Sequence, residues 1–353
     1  MPETPEPSVA VRRMSPYNPP LEGRSEKLRL DFNENVSGCS PRVLETVRQA
    51  ASRGFLATYP EYAEMLRRLG AHFGVDSDQV TIGAGTDEVI NGILHAFVNP
   101  GDEVIMPKPS FAMFRFYTQL VSGVPVQVPY KGSELAFPAK EIAAAIGPNT
   151  KAVCIATPNN PSGGVASRDE VLHILAAADR RVVLVDEAYF DFHGETMLDL
   201  VKDWPNLFVT RTFSKAYGMA GMRVGMAVSQ SGNIAIVRKG QSPYGVNSLA
   251  VRCALAAMED TDYVRQYVRQ VLEAREVLCD TLERLGIRYW PSRANFVLFE
   301  LGEGCSRACE RLSAMGILIR DQSAYLPGTA RVTVGPLGET AQFVAAFREV
   351  LAK

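Results

Sequence analysis

Between Gln79 and Val228 the sequence repeats one pattern: a short apolar run, a glycine-rich or polar turn, then a segment with helical spacing. The runs at 79–82, 104–106, 124–128, 152–155, 182–185, 207–210 and 224–228 predict strands. The segments 87–97, 111–120, 139–146 and 168–178 predict helices between them. Val182-Val183-Leu184-Val185 has no polar alternation, as a parallel strand covered on both faces requires. Repetition on this scale predicts an α/β fold, a mostly parallel seven-stranded sheet with helices on both faces.

The flanks read differently. A strand at 28–32 precedes a helix at 41–53, capped by Ser40 with Pro41 in its first position and stopped by Gly54. A second helix, 61–73, is closed by Gly74. After residue 245 come helices at 248–258 and 262–285, a strand at 295–299, a helix at 306–315, strands at 317–319 and 331–334, and a last helix at 339–352. That mixture predicts a smaller α+β domain. Residues 1–25 hold six prolines and read as an extended arm. The expected division is the arm at 1–25, a large domain at 55–246, and a small domain from 247–353 joined by 26–54.

Composition excludes several classes of function. With 353 residues, 46% of them hydrophobic and 22% charged, two linked cores are affordable. A net charge of -2 gives no electrostatic reason to expect nucleic acid or an anionic membrane as partner. No apolar run approaches a membrane span, and the acidic, Pro-rich stretch Met1 to Val11 is not a secretory signal. The six cysteines, at 39, 154, 253, 279, 305 and 309, show no Cys-x-x-Cys spacing, and there are four histidines. Neither a metal site nor a disulfide framework is expected, and a reducing cytoplasm is the natural setting.

The chemistry concentrates in Val209 to Arg223, where Lys215 lies among Thr212, Ser214 and Arg223 on a Gly-rich turn leaving a strand. Partial burial and nearby positive charge lower a lysine's pKa and free its amine to form an imine with a carbonyl. Hydroxyls and a guanidinium suit a phosphate monoester. An imine-forming lysine beside a phosphate clamp suggests pyridoxal phosphate. Other groups also follow predicted strands, where ligands of open α/β sheets gather. Gly83 to Glu88, with Gly85, Thr86 and Asp87, joins a strand to a helix N-terminus that favours phosphate. Asn160, in the turn Thr157 to Gly164, offers an amide to a phenolate oxygen. Asp186 ends a buried strand and suits a pyridinium nitrogen, or alternatively a helix cap or ion pair. Tyr189 is placed to share the phenolate with Asn160, while Glu187 reads as structural. Phe111 could stack on a ring or fill a core, and the Tyr59 hydroxyl could reach a phosphate. Arg331, in an apolar strand, suits a buried carboxylate or phosphate, or alternatively a surface ion pair from an edge strand; Arg320 could pair with Asp321 or add a second cation.

Taken together, Asn-Asn-Pro-x-Gly at 159–163, Asp186-Glu187-Ala188-Tyr189, Ser214-Lys215-Ala216 and Gly221-x-Arg223-x-Gly225 resemble the fold type I pyridoxal-phosphate aminotransferases. Phe32-Asn33-Glu34-Asn35, Thr212 to Tyr217, Ile319-Arg320-Asp321 and Arg331 to Gly335 are similar to the histidinol-phosphate aminotransferase family. The resemblance covers nearly the whole chain after about residue 15. It implies that Lys215 holds pyridoxal 5'-phosphate and moves the substrate proton. It also implies that Asp186 meets the pyridine nitrogen, Asn160 and Tyr189 the phenolate, and Phe111 the ring face. Gly85, Thr86, Asp87, Thr212, Ser214 and Arg223 fall to the phosphate side of the cofactor. Tyr59 would reach the partner subunit's cofactor, which implies a homodimer with shared sites. Arg331, Arg320, Tyr17 and Asn33 would meet the substrates, an amino donor such as histidinol phosphate and a 2-oxo acid. The chain departs from the usual family pattern at Val36-Ser37-Gly38-Cys39 and carries Phe111 where tyrosine is common. An aromatic amino-acid aminotransferase and a decarboxylase on the same scaffold are the alternatives. A nicotinamide dehydrogenase is disfavoured, because Gly83 to Glu88 lacks the G-x-G-x-x-G spacing.

Overall fold

A computed structural model describes residues 5–16 and 20–352. Its strands, in chain order, are β1 (Leu28–Leu30), β2 (Val80–Gly83), β3 (Glu103–Lys108), β4 (Val124–Pro129), β5 (Thr150–Ala156) and β6 (Val182–Asp186). They continue with β7 (Leu207–Thr212), β8 (Gly225–Val228), β9 (Tyr289–Trp290), β10 (Phe296–Glu300), β11 (Ile317–Asp321) and β12 (Thr329–Thr333).

Seven strands form the large sheet in the order β2-β8-β7-β6-β5-β3-β4. β8 runs antiparallel to both its neighbours, and the remaining pairs are parallel. Alternate side chains of each central strand enter opposite cores, because strand residues point to opposite faces. Val183 and Val185 of β6 join Val153, Ile155, Leu207 and Val209 on one face, with helices Arg168–Ala178 and Ser248–Glu259. Leu184, Cys154 and Phe208 face the other way, against helices Thr86–Phe97 and Ser231–Gly240. β6 is buried along its whole length, and each fully buried Val or Leu contributes about 2 kcal/mol of transfer free energy.

The small sheet has the order β1-β11-β12-β10-β9, with β1 parallel to β11 and the other pairs antiparallel. Helix Thr261–Arg284 buries Val264, Tyr267, Val271, Ala274, Leu278 and Leu282, one helical stripe, against Phe296 and Phe299.

Several expectations needed correction. The helix expected at 41–53 ends at Ala50, and Gly54 lies inside a second helix, Arg53–Leu56. The Ser52 hydroxyl accepts from the Phe55 N–H and so caps a new helix where the old one was expected to continue. Within the arm, Val9–Arg13 is a helical turn capped by Ser8. Helix Ser231–Gly240 and strand β9 were not anticipated. Helix Ser248–Glu259 packs its buried face into the large-sheet core, which Val43 also joins.

Candidate active site

The carboxyl ends of β5, β6 and β7 meet β11 and β12 of the small sheet around a cavity of about 590 Å³. Volumes of this order hold a cofactor with a small substrate. Ala156, Asp186 and Thr212, the last residues of the three central strands, all line it. The site therefore sits where open parallel sheets bind ligands.

Lys215 lies at the cavity floor, its Nζ donating to the Phe32 carbonyl at 2.8 Å. Burial, then the nearby Arg331 guanidinium, pulls its amine down to about 8. Such an amine supplies a neutral nucleophile near physiological pH. Asp186 is buried at the end of β6, and its Oδ1 accepts from the Thr210 hydroxyl at 2.7 Å. Burial pushes its carboxyl up to about 7, against the Thr210 hydrogen bond. No lysine or arginine among the described residues forms an ion pair with it. A buried acid facing a cavity without a counter-ion fits a ligand that brings a cationic nitrogen.

The corner that could hold an anion is built from a close approach of two backbones. Gly225 opens β8 beside the start of helix Thr86–Phe97, and a Cβ there would lie 2.1 Å from the Thr86 nitrogen. Gly85 has φ +83°, and a Cβ would meet the Arg223 Nη2 at 2.4 Å. These two glycines let Arg223 lie over the turn, where it donates to Asp87 Oδ2 at 2.9 Å. Thr86, Thr212, Ser214 and Arg223 line the same end of the cavity.

On the opposite wall, Arg331 donates to the Asn160 side-chain oxygen and to the Asp31 carbonyl, the latter at 2.6 Å. Tyr189 accepts from Asn33 Nδ2 at 2.8 Å, and the Asn33 N–H donates to Thr333 Oγ1 at 3.0 Å. Asn33, Phe111, Asn160, Tyr189, Arg320 and Arg331 all line the cavity. Tyr59 does not: it is 72% exposed and stacks on Tyr244 at 4.3 Å in a separate shallow groove. Tyr17 lies outside the described residues. The expected option of an Arg320–Asp321 pair is not taken, because adjacent strand residues face opposite ways. Asp321 instead accepts from Ser306 Oγ at 2.5 Å and the Ser323 N–H at 2.8 Å.

Sequence reasoning missed Arg24 and Thr210, and gave Glu34 no part beyond its place in the motif Phe32 to Asn35. Arg24 donates to Asp31 at 2.8 Å and Glu34 at 2.9 Å at the cavity rim, and its guanidinium lies 4.0 Å from the Phe32 ring centre. Nothing in the spacing of these residues announces the network. Thr210 is opposite Asp186 in the β6–β7 register, a signal available once that register is known.

A lysine, a buried acid and an anion-binding corner at the carboxyl edge of such a sheet define a site of the fold type I pyridoxal-phosphate class. The aspartate aminotransferase of Thermus thermophilus in its complex with maleate shares the fold, with TM-score 0.82 and 22% identity over 98% of this chain and 100% of that one. The family model for aminotransferase class I and II matches residues 25–347, and the chain belongs to that family. The histidinol-phosphate aminotransferase of Symbiobacterium thermophilum is 39% identical, over 97% of this chain and 98% of that protein. Histidinol-phosphate aminotransferase 2 of Carboxydothermus hydrogenoformans is 32% identical, over 97% and 98%. The solved structure of histidinol-phosphate aminotransferase from Sinorhizobium meliloti in complex with pyridoxal-5'-phosphate superposes with TM-score 0.90. Its identity is 28%, with 99% of this chain and 98% of that one covered.

Proposed function

We propose that this chain is a pyridoxal-phosphate-dependent aminotransferase that moves an amino group between L-histidinol phosphate and 2-oxoglutarate in two half-reactions. The observation that carries the substrate is the pairing of two cations. Arg320 and Arg331 are directly opposed on antiparallel β11 and β12, and both line the cavity that holds Lys215. Arg320 makes no ion pair among the described residues. One guanidinium suffices for a carboxylate, whereas a phosphate dianion is better matched by two.

When bound, pyridoxal phosphate supplies an electron sink for the bond to the substrate Cα. Asp186 would hold its ring nitrogen, Asn160 and Tyr189 its phenolate oxygen, and Phe111 its ring face. Thr86, Thr212, Ser214 and Arg223 would hold its phosphate, with Gly85 giving clearance and Asp87 fixing Arg223. Lys215 Nζ would act as the general base that takes the proton from the substrate Cα. Arg331 orients the carboxylate of the amino acid or oxo acid, and Arg320 adds the second charge for phosphate. Asn33 adds to the substrate side, and the part expected of Tyr17 rests on the sequence alone.

Tyr59 points away from its own cavity, so its hydroxyl serves the site of a second copy in a homodimer. The free cysteines suit a reducing cytoplasm. No described helix is long and apolar enough to cross a membrane.

The test is an assay of glutamate formation from 2-oxoglutarate with either L-histidinol phosphate or L-phenylalanine as donor. Histidinol phosphate should be preferred, and Arg320→Ala should lower kcat/KM for it by about 100-fold while costing the glutamate half-reaction less than about fivefold. Equal losses in both would remove the phosphate reading, and preference for phenylalanine would make this an aromatic amino-acid aminotransferase.

A further inference from the structure

Away from the cavity, three metal-ligating side chains of the small unit come together: Cys305, Cys309 and Asp321. A search for Cys-x-x-Cys spacing passes over this pair, because its spacing is Cys-x-x-x-Cys. On a helix, however, residues four apart share a face, and helix Cys305–Ala314 carries both thiols. Asp321 ends β11, which packs against that helix. One ligand atom from each of the three lies within 4.8 Å of the others, and Cys305 Sγ is 3.8 Å from Asp321 Oδ1. A tetrahedral zinc ion, with sulfur at about 2.3 Å and oxygen at about 2.0 Å, sets its ligands about 3.5–3.8 Å apart. The cluster therefore needs only small side-chain rotations to close on an ion.

The carboxylate is held in place from outside. Ser306 Oγ donates to Oδ2 at 2.5 Å, and the Ser323 N–H donates to Oδ1 at 2.8 Å. A carboxylate accepts about four hydrogen bonds, so capacity remains for a cation, and such outer partners orient metal ligands. Two sulfurs select a thiophilic ion over magnesium or calcium. Cys305 is buried while Cys309 and Asp321 are half-buried, which leaves water a path to a fourth position.

We propose that Cys305, Cys309 and Asp321 form a binding site for a thiophilic divalent cation of the zinc class, with water as fourth ligand. The site is coupled to the cavity through one strand: Arg320 faces the cavity and Asp321, its neighbour on β11, faces the metal. A bound ion ties that strand to helix Cys305–Ala314.

The experiment titrates the holoenzyme with Cd²⁺ and follows the ultraviolet absorbance of thiolate–metal bonds. The expected result is a band that saturates at one Cd²⁺ per chain and is displaced by Zn²⁺. Cys309→Ser should abolish the band with an unchanged circular dichroism spectrum, while Cys39→Ser should leave it intact. Asp321→Asn keeps both thiols and nearly the same shape, and it should weaken binding at least about tenfold. No band at one equivalent, a band that survives Cys309→Ser, or unchanged affinity in Asp321→Asn would overturn the three-ligand site. If Cys309→Ser does not fold, the Asp321→Asn result decides alone.

Discussion

Asp186 and Glu187 are neighbours in sequence, both buried, and they live in opposite electrostatic worlds. On the back of the large sheet, Glu187 is fully provided for by the protein. Arg211 donates to it at 2.8–3.0 Å, Thr196 Oγ1 at 2.7 Å and the Met197 N–H at 2.6 Å. The Arg211 guanidinium is itself sandwiched, 3.3 Å from the Phe190 ring centre and 5.7 Å from that of Phe73. On the cavity side, Asp186 accepts from the Thr210 hydroxyl and forms no ion pair among the described residues, with the Lys215 charge acting on it only through space. A fold that satisfies one acid so completely and leaves the next one waiting marks the second as reserved for a ligand. Buried charge is tolerated only when paired, and the cofactor nitrogen is the partner we propose for Asp186.

The sharpest break of this contrast is at the group that shares the cavity with Asp186. Lys215→Ala should lower turnover by about four orders of magnitude or more, read as kcat with either substrate, and leave thermal stability near normal. Near-normal turnover would remove Lys215 from the chemistry.

The two acids themselves should respond in opposite senses. Glu187→Gln removes one partner of a buried pair and should lower the unfolding free energy by about 3 kcal/mol, measured by urea titration, with kcat changed less than about threefold. Asp186→Asn should do the reverse in the cofactor-free protein. A carboxyl raised from 3.8 to about 7 binds more protons folded than unfolded across that window, so stability falls as pH rises through it. The parent should therefore be less stable than Asp186→Asn at pH 7, by about 2–4 kcal/mol, and equal to it near pH 3. A constant difference across that range would mean that Asp186 is paired by something within the protein. In the holoenzyme the ranking should invert for activity, with Asp186→Asn losing at least about 100-fold in kcat.

The smallest expected effect is at Thr210. Thr210→Val keeps the shape and removes one hydrogen bond to a charged group, worth about 1.5–3 kcal/mol. It should raise the pH at which Asp186 titrates in the cofactor-free protein, followed by NMR of the labelled carboxyl, and lower kcat about tenfold. An unmoved titration would mean that burial alone sets the Asp186 carboxyl.

Much of this was legible in the chain before any fold was in hand. Val182 to Val185 reads as a strand covered on both faces, and it is buried along its whole length. The lysine, the acid at a strand end and the Gly83 to Glu88 turn were found because each follows a strand, and parallel sheets collect such ends on one edge. Local chemistry also misled where two local signals competed: Ser52 starts a new helix at the point where Gly54 was expected to stop the first one. The rest depends on contacts between residues far apart in sequence. That Arg331 and Arg320 face one another is a matter of β11–β12 register, and that Thr210 rather than a charge meets Asp186 is a matter of β6–β7 register. Arg24 joins the site through a loop that no periodicity governs. Propensity, periodicity and capping act over a few positions, so most elements and the residue types suited to the chemistry could be read along the chain. Which charges pair inside the protein could not, because burial and Coulomb energy depend on neighbours that the chain brings together only when it folds.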